Sequence, residues 1–269
     1  MLAVVAALAL AAAPAPPAPA PNAQVPREPA ALARSVAQTT RSLHAAVDEW
    51  REVGDPSRGG PPRAVELWAL YQQRLFLTLV YDDRLGRAVE PRLGREARET
   101  LAARRALVRL TPPTRRPLSS FRTGPPAPAG RLLGWYREAE RRFGVDWEVL
   151  AAVNFVESAF GRLRSSSSAG AQGPMQFLPA TWRRYGLGGD VHDPHDAVLG
   201  AANYLRASGA PRDYRRALFA YNRSRLYVDA VLRYAGQMRR DDRVYFAYYS
   251  WQVFIRTPAG PRRITGPGR

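Results

Sequence analysis

Apolar positions recur at helical spacing along most of this chain. The stretch "ALARSVAQTTRSLHAAVDEW" repeats them at three- and four-residue intervals, the mark of an amphipathic helix. "AVELWALYQQRLFLTLVY" is apolar on nearly every side, so it predicts a long helix that is largely buried. "REARETLAARRALVRL" is a third such stretch. Gly59-Gly60-Pro61-Pro62 separates the first two, and Pro91 falls between the second and third. Residues 24–110 therefore read as a helical N-terminal region without a catalytic signature. "TPPTRRPLSSFRTGPPAPAG", residues 111–130, is rich in Pro, Gly and Ser and reads as a linker. The unit beyond it, residues 131–238, is long enough to hold its own core, and we expect it to act without the N-terminal helices.

In that second unit Leu132, Trp135, Tyr136, Ala139 and Phe143 form one stripe, which Gly144 closes as a C-cap. Asp146 is a fitting N-cap for a helix over 147–158. Pro179 opens a short helix that ends at Gly186. Asp193-Pro194 starts another that runs to about Ala207. Asp213 and Ser224 start two more. The tail, residues 239–269, changes character: "VYFAYYSWQVFIRTPAGPRRIT" is aromatic and β-branched around Pro-Ala-Gly-Pro. It predicts a β-hairpin whose aromatics form a half-buried strand face.

Composition narrows the partners. The 269 residues carry a formal charge of +17, and all 40 basic residues are arginine. Such a chain favours an anionic partner. There is no cysteine, which excludes disulfides, thiolate metal sites and a lipid-modified N-terminal cysteine. Leu2 to Ala13 is an apolar run too short for a membrane span, which takes about 20 residues. With the Pro/Ala segment after it, it reads as a secretory signal over residues 1–23, although no Lys or Arg precedes it. The expected location is outside the cell or in the cell wall. No nucleic-acid-binding motif accompanies the charge.

One glutamate stands out. In "VNFVESAFGRLRSSSSAGAQGPMQFLPATW", residues 153–182, Glu157 is the sole carboxylate, and the next is Asp190. At about 100° per residue, Val149, Ala152, Val153 and Val156 mark an apolar arc. Leu150 extends it, and Glu157 falls between Leu150 and Val153. Two effects then raise its pKa: loss of water, and the negative end of the helix. A carboxyl still protonated near neutral pH can hand its proton to a glycosidic oxygen. A solvated helical Glu is the plainer alternative, weakened by that position on the arc.

The sequence after Glu157 suits a sugar. Gly170 and Gly173 allow positive φ and close backbone approach. Met175 offers a soft apolar surface, and Gln176 an amide that both donates and accepts. Tyr221 and Asn222 in "FAYNRS" add a ring with a hydroxyl and a second amide. "GDVHDPHD", residues 189–196, has metal-like spacing, but Asp193-Pro194 already accounts for it as a helix start, so no metal or cofactor is expected.

Taken together, "ES" at 157–158, "SSAGAQGPMQFLPATW" at 167–182, "DPHDAVLGAANYL" at 193–205 and "ALFAYN" at 217–222 resemble the SLT-type lytic transglycosylases of the lysozyme superfamily. The "GPMQFLPATW" form looks like the versions common in actinobacteria. The resemblance implies a mainly α fold: a lysozyme-like catalytic domain over 131–238, with the helical N-terminal region and a short hairpin-like tail added to it. It implies that Glu157 is the acid and then the base, and that Ser158 helps position the site. Ser167 (or Ser168, one residue on), Met175, Gln176, Tyr221 and Asn222 are then substrate-binding. The implied reaction cleaves peptidoglycan glycan strands to 1,6-anhydro ends, without a cofactor and as a monomer. "GPMQ" departs from the family's more usual Gly-Leu-Met-Gln, which alters the turn. A hydrolytic muramidase using Asp190 or Asp193, and a non-catalytic murein-binding module, are the rival readings.

Overall fold

The computed structural model describes residues 16–268, so most of the expected export segment lies outside the described residues. Helix α1 spans Pro29–Val53, α2 Arg63–Tyr81, α3 Asp83–Val89 and α4 Arg95–Leu110, with Pro91 in a short 3-10 turn before α4. Glu28 starts α1 by accepting the N–H groups of Ala30 and Ala31 at 2.8 and 2.6 Å. After residues 111–128 come α5 (Ala129–Phe143), α6 (Trp147–Ser158), α7 (Pro179–Tyr185), α8 (Pro194–Ala207), α9 (Tyr214–Tyr221) and α10 (Arg225–Arg240). The chain is mainly α, as its periodicity and its resemblance predict, and consistent with a lysozyme-like domain.

The helix punctuation follows the sequence closely. Gly144 ends α5 in the left-handed region at φ 68°. Asp193 caps α8 by accepting the N–H groups of His195 and Asp196. Asp146 occupies the N-cap position of α6 without a capping bond, because its carboxylate is drawn to Arg239 instead.

The tail needs correcting. Arg243–Tyr249 is a helix, α11, and only Phe254–Thr257 (β1) and Gly260–Arg263 (β2) form the hairpin. The strands pair antiparallel with Thr257 opposite Gly260, so Pro258-Ala259 makes the turn. A half-buried strand would expose alternate residues, whereas Val244 through Tyr249 are all buried. Their hydroxyls find internal acceptors: Tyr245 donates to the Ala129 carbonyl at 2.8 Å and Tyr249 to that of Ala127 at 3.0 Å.

One apolar core runs from Leu32 in α1 to Trp251 beyond α11. Within it α4 lies against α10, and α1 against α11. The linker at 111–130 is a change in chain course that leaves the core undivided. Its last part pairs with the loop after α6: Thr123 bridges Leu163, Gly124 donates to the Arg162 carbonyl at 3.0 Å, and Arg164 donates to that of Arg122 at 2.9 Å. The hairpin residues Ile255 and Ile264, with Val253, pack with Leu118, Phe121, Ala159 and Leu163. Linker and tail thus brace the loop that follows Glu157.

Two buried glutamines in α2 tie the tail to the N-terminal helices. Gln73 donates to the Gln252 carbonyl and accepts the Gln252 N–H, both at 2.8 Å. Gln72 accepts the Trp251 indole N–H at 3.0 Å. This explains a polar pair inside an otherwise apolar helix. Gln73→Leu would leave two buried backbone groups unpaired, and we expect a loss of about 2–4 kcal/mol in urea unfolding. A loss under about 0.5 kcal/mol, the range of neutral surface changes, would show that this clamp carries no stability.

Candidate active site

Helix α6 is buried on nearly all sides from Glu148 to Phe155, and α5, α8, α10 and α11 pack against it. It ends abruptly. Ala159, Phe160 and Gly161 all have positive φ, at 51°, 62° and 86°. The N–H of Phe160 returns to the Asn154 carbonyl at 3.2 Å, closing the helix and turning the chain away. Glu157 is left in the last turn, half-buried, at the boundary between core and surface.

Its one side-chain hydrogen-bond partner among the described residues is a hydroxyl. The Tyr227 hydroxyl on α10 donates to Glu157 Oε1 at 2.8 Å. Burial pushes the Glu157 carboxyl up to about 7, and the Tyr227 bond opposes that rise; no other group acts on it appreciably. Glu157 in turn helps push the phenols of Tyr221 and Tyr227 well above their ordinary value, after burial itself. The group is therefore a carboxylic acid poised near neutrality, with neither a cation nor a second carboxylate among the described residues acting on it.

Ser158 does not face solvent. It is 2% exposed. Its Oγ donates to the Pro174 carbonyl at 2.5 Å and accepts the Gly161 N–H at 2.8 Å. Asn154, one turn earlier, donates to the same carbonyl at 2.9 Å and to Met175 Sδ at 3.0 Å, while Tyr136 donates to its Oδ1 at 2.9 Å. Sequence reasoning passed over Asn154 and Tyr227. A lone Asn inside an apolar helix is the available signal for the first; Tyr227 cannot be told from the core aromatics of α10 by pattern.

The loop after α6 returns to that anchor. Gly173, at φ 73°, could hold no side chain: a Cβ there would lie 1.8 Å from the Val191 carbonyl oxygen. Met175 is fully buried, so its thioether belongs to the core, and its carbonyl accepts the Tyr221 hydroxyl at 2.7 Å. Gln176 sits at φ 50°, a left-handed conformation that costs a non-glycine residue about 1 kcal/mol and is typical of functional loops. Its Nε2 donates to the Gly173 carbonyl at 2.9 Å, and its Oε1 accepts nothing among the described residues. Ser167 is exposed and closes its own turn by accepting the Ala171 N–H at 3.0 Å. Asn222 ends α9, and its side-chain amide has no protein partner among the described residues. Ser158 is thus tied to the loop through Pro174 and Tyr221 through Met175, whereas among the described residues the one side-chain hydrogen bond to Glu157 comes from Tyr227.

Asp190 and Asp193 are exposed, each with a carboxylate oxygen accepting nearby backbone N–H groups. Asp193, His195 and Asp196 come within 4.8 Å of one another, but Asp193 caps α8, Asp196 accepts the Asp190 N–H, and His195 pairs with Glu138 at 3.0 Å.

Comparison with known proteins finds a likeness over this region. Residues 135–244 match the family model of the transglycosylase SLT domain. They form an SLT-type domain. The chain is 36% identical over 70 residues to a protein named membrane-bound lytic murein transglycosylase F of Thiobacillus denitrificans, covering 26% of this chain and 14% of that one. It is 32% identical over 75 residues to membrane-bound lytic murein transglycosylase F 1 of Alkalilimnicola ehrlichii, covering 28% and 15%. The chain thus spans a small part of the length of the curated relatives it matches. No solved structure matches it. The SLT domain contains every residue of the site, and among the described residues no helix is long and apolar enough to cross a membrane.

Tyr227 gives a test within the SLT domain. Its hydroxyl stabilises the ionised form of Glu157, so Tyr227→Phe should raise the Glu157 pKa further. If the protonated form is the active one, the alkaline limb of the kcat/KM profile should move to higher pH. A limb that stays in place, or moves to lower pH, would show that this bond does not tune Glu157.

Proposed function

We propose that this protein is a peptidoglycan lytic transglycosylase that uses Glu157 alone as acid and then base. The observation that carries the reading is the carboxyl held at about 7 by burial, with no second charged group acting on it. Most glycosidases pair two carboxylates, one of which activates water or attacks the sugar. A single carboxyl fits a reaction in which the sugar supplies its own nucleophile.

The steps follow from that. The Glu157 carboxyl gives its proton to the oxygen linking N-acetylmuramic acid to the next N-acetylglucosamine. The C1–O bond breaks, and the acetylglucosamine leaves with a 4-hydroxyl. Glu157, now a carboxylate, takes the proton of the muramic 6-hydroxyl as O6 bonds to C1. The product is a 1,6-anhydro sugar, Glu157 is protonated again, and no water is consumed. Intramolecular attack replaces the positioning of a water. Gln176 through its Oε1, Asn222 through its amide, neither with a partner there among the described residues, and Ser167 at the exposed turn are the proposed contacts for the sugar's polar edges. Ser158 and Met175 hold the loop in place.

The charge of +17 suits retention at anionic wall polymers, an attraction that salt would weaken. We place the protein outside the cell or at the cell wall, acting as a monomer on glycan strands.

Mass spectrometry of digested sacculi tests the reading. We expect anhydro ends, about 18 Da lighter than hydrolysed ends because an internal hydroxyl replaces water. Predominantly reducing ends would favour a hydrolytic muramidase. Glu157→Gln should abolish release of fragments. It should also fold. The folded-state pKa lies above the ordinary 4.5, so ionising Glu157 destabilises the fold as pH rises from about 4.5 to about 7. Removing the charge should leave the melting temperature equal or higher at pH 8. A Glu157→Gln variant with near-normal activity would reduce the protein to another mechanism, and wild-type binding without cleavage would reduce it to a murein-binding module.

A further inference from the structure

A concavity of about 520 Å³ borders the proposed site on the side of the α6 terminus. Phe160 and Gly161, just past Glu157, form one edge, and Gly173-Pro174, just before Met175, form another. Ser158 bonds both Gly161 and Pro174, so this wall is fixed to the residue next to Glu157. The facing wall is the linker, at Arg122 and Pro125 to Ala127.

The lining carries Arg122, Arg164 and His192 and no carboxylate. Among the described residues neither arginine has an acidic partner. Arg122 Nη2 donates to the Arg164 carbonyl at 3.4 Å, and Arg164 Nη2 to the Pro125 carbonyl at 2.9 Å. Two like charges are brought together here by the pairing of Thr123 with Leu163. Gly124 makes room for one of them: a Cβ at that position would lie 2.3 Å from Arg164 Cζ. Asp193 lies between the lining residues His192 and Pro194, but one of its carboxylate oxygens is already taken by the N–H groups at the start of α8. Guanidinium groups bind carboxylates through paired N–H donors, and proline walls present them with little entropy left to lose.

We propose that this concavity binds the carboxylates of the peptide stems that branch from the glycan, so that the linker selects peptide-bearing strands. The proposal rests on the reading of peptidoglycan as substrate. It gives the Pro-rich stretch a role that neither the core nor Glu157 requires.

The test compares wild type with Arg122→Gln/Arg164→Gln in the full chain, on murein strands with their peptides and on the same strands stripped by an amidase. Circular dichroism melting confirms that the variant is folded. We expect KM on peptide-bearing strands to rise roughly tenfold, about 1.4 kcal/mol, with kcat little changed and no effect on stripped strands. Equal effects on both substrates, or none on either, would overturn the proposal. Binding gives an arm independent of cleavage: the stem peptide released by the amidase is titrated calorimetrically into Glu157→Gln protein with and without the arginine changes. We expect binding that the double change abolishes. No binding to the parent, or binding that survives the double change, would overturn the subsite. So would displacement of the peptide effect by a preference for a polyglycerol phosphate, which would assign the arginines to wall polymer phosphates. If wild type cleaves neither strand, the transglycosylase reading fails while the calorimetry still decides the subsite.

Discussion

The site depends on keeping water away from one carboxyl. An acid at the end of a helix would ordinarily turn to solvent. Here the turn after Glu157 is fixed by three consecutive positive-φ residues and by the Phe160 N–H returning to Asn154. Ser158 and Asn154 then share the Pro174 carbonyl and draw the Met175–Gln176 loop over the helix end. The single polar concession, the Tyr227 hydroxyl, moderates the rise in pKa without cancelling it.

A raised pKa does not by itself mark a catalytic group. The Glu96 carboxyl is also pushed up to about 7, by burial and by the neighbouring Asp241. It stands where α1, α4 and the end of α10 meet, with His44 3.9 Å from it and 3.7 Å from Asp241, while Arg243 bonds Asp241 and Asp48. That is an ion network in which charges of both signs answer one another. Glu157 has no such company. The difference between them lies in the partners that could take up a charge, and only Glu157 has its charge change uncompensated, as a proton donor working between acid and carboxylate requires.

The helices and their stops were legible because each rests on local chemistry: Gly144 with positive φ, Pro179 and Pro194 at first-turn positions, Asp193 and Asp213 as caps. Glu157 was legible for the same reason, since its place on the apolar arc is a property of one helix. What the sequence hid is long-range. The aromatic tail has strand-like composition, yet burial on every side makes it a helix, and that burial is supplied by α1 and α6, far away in sequence. The Gln72-Gln73 pair looked like an interruption until Trp251 and Gln252 were seen against it. The linker looked like a boundary because Pro and Gly stop helices, and they do so equally when a chain runs along a loop it is bonded to. Within the site, the chemistry of Met175 and the family resemblance both point to a ligand contact, while its side chain lies in the core.

The central claim concerns the protonation of one group, and it can be observed directly. Infrared difference spectra of wild type minus Glu157→Gln isolate the carboxylic C=O stretch of Glu157 across a pH series. The account predicts a band that persists through the acid range and disappears with a midpoint near 7, well above the ordinary 4.5. A midpoint close to 4.5 would mean that Glu157 is hydrated and ionised at neutral pH, and the single-acid account would be contradicted.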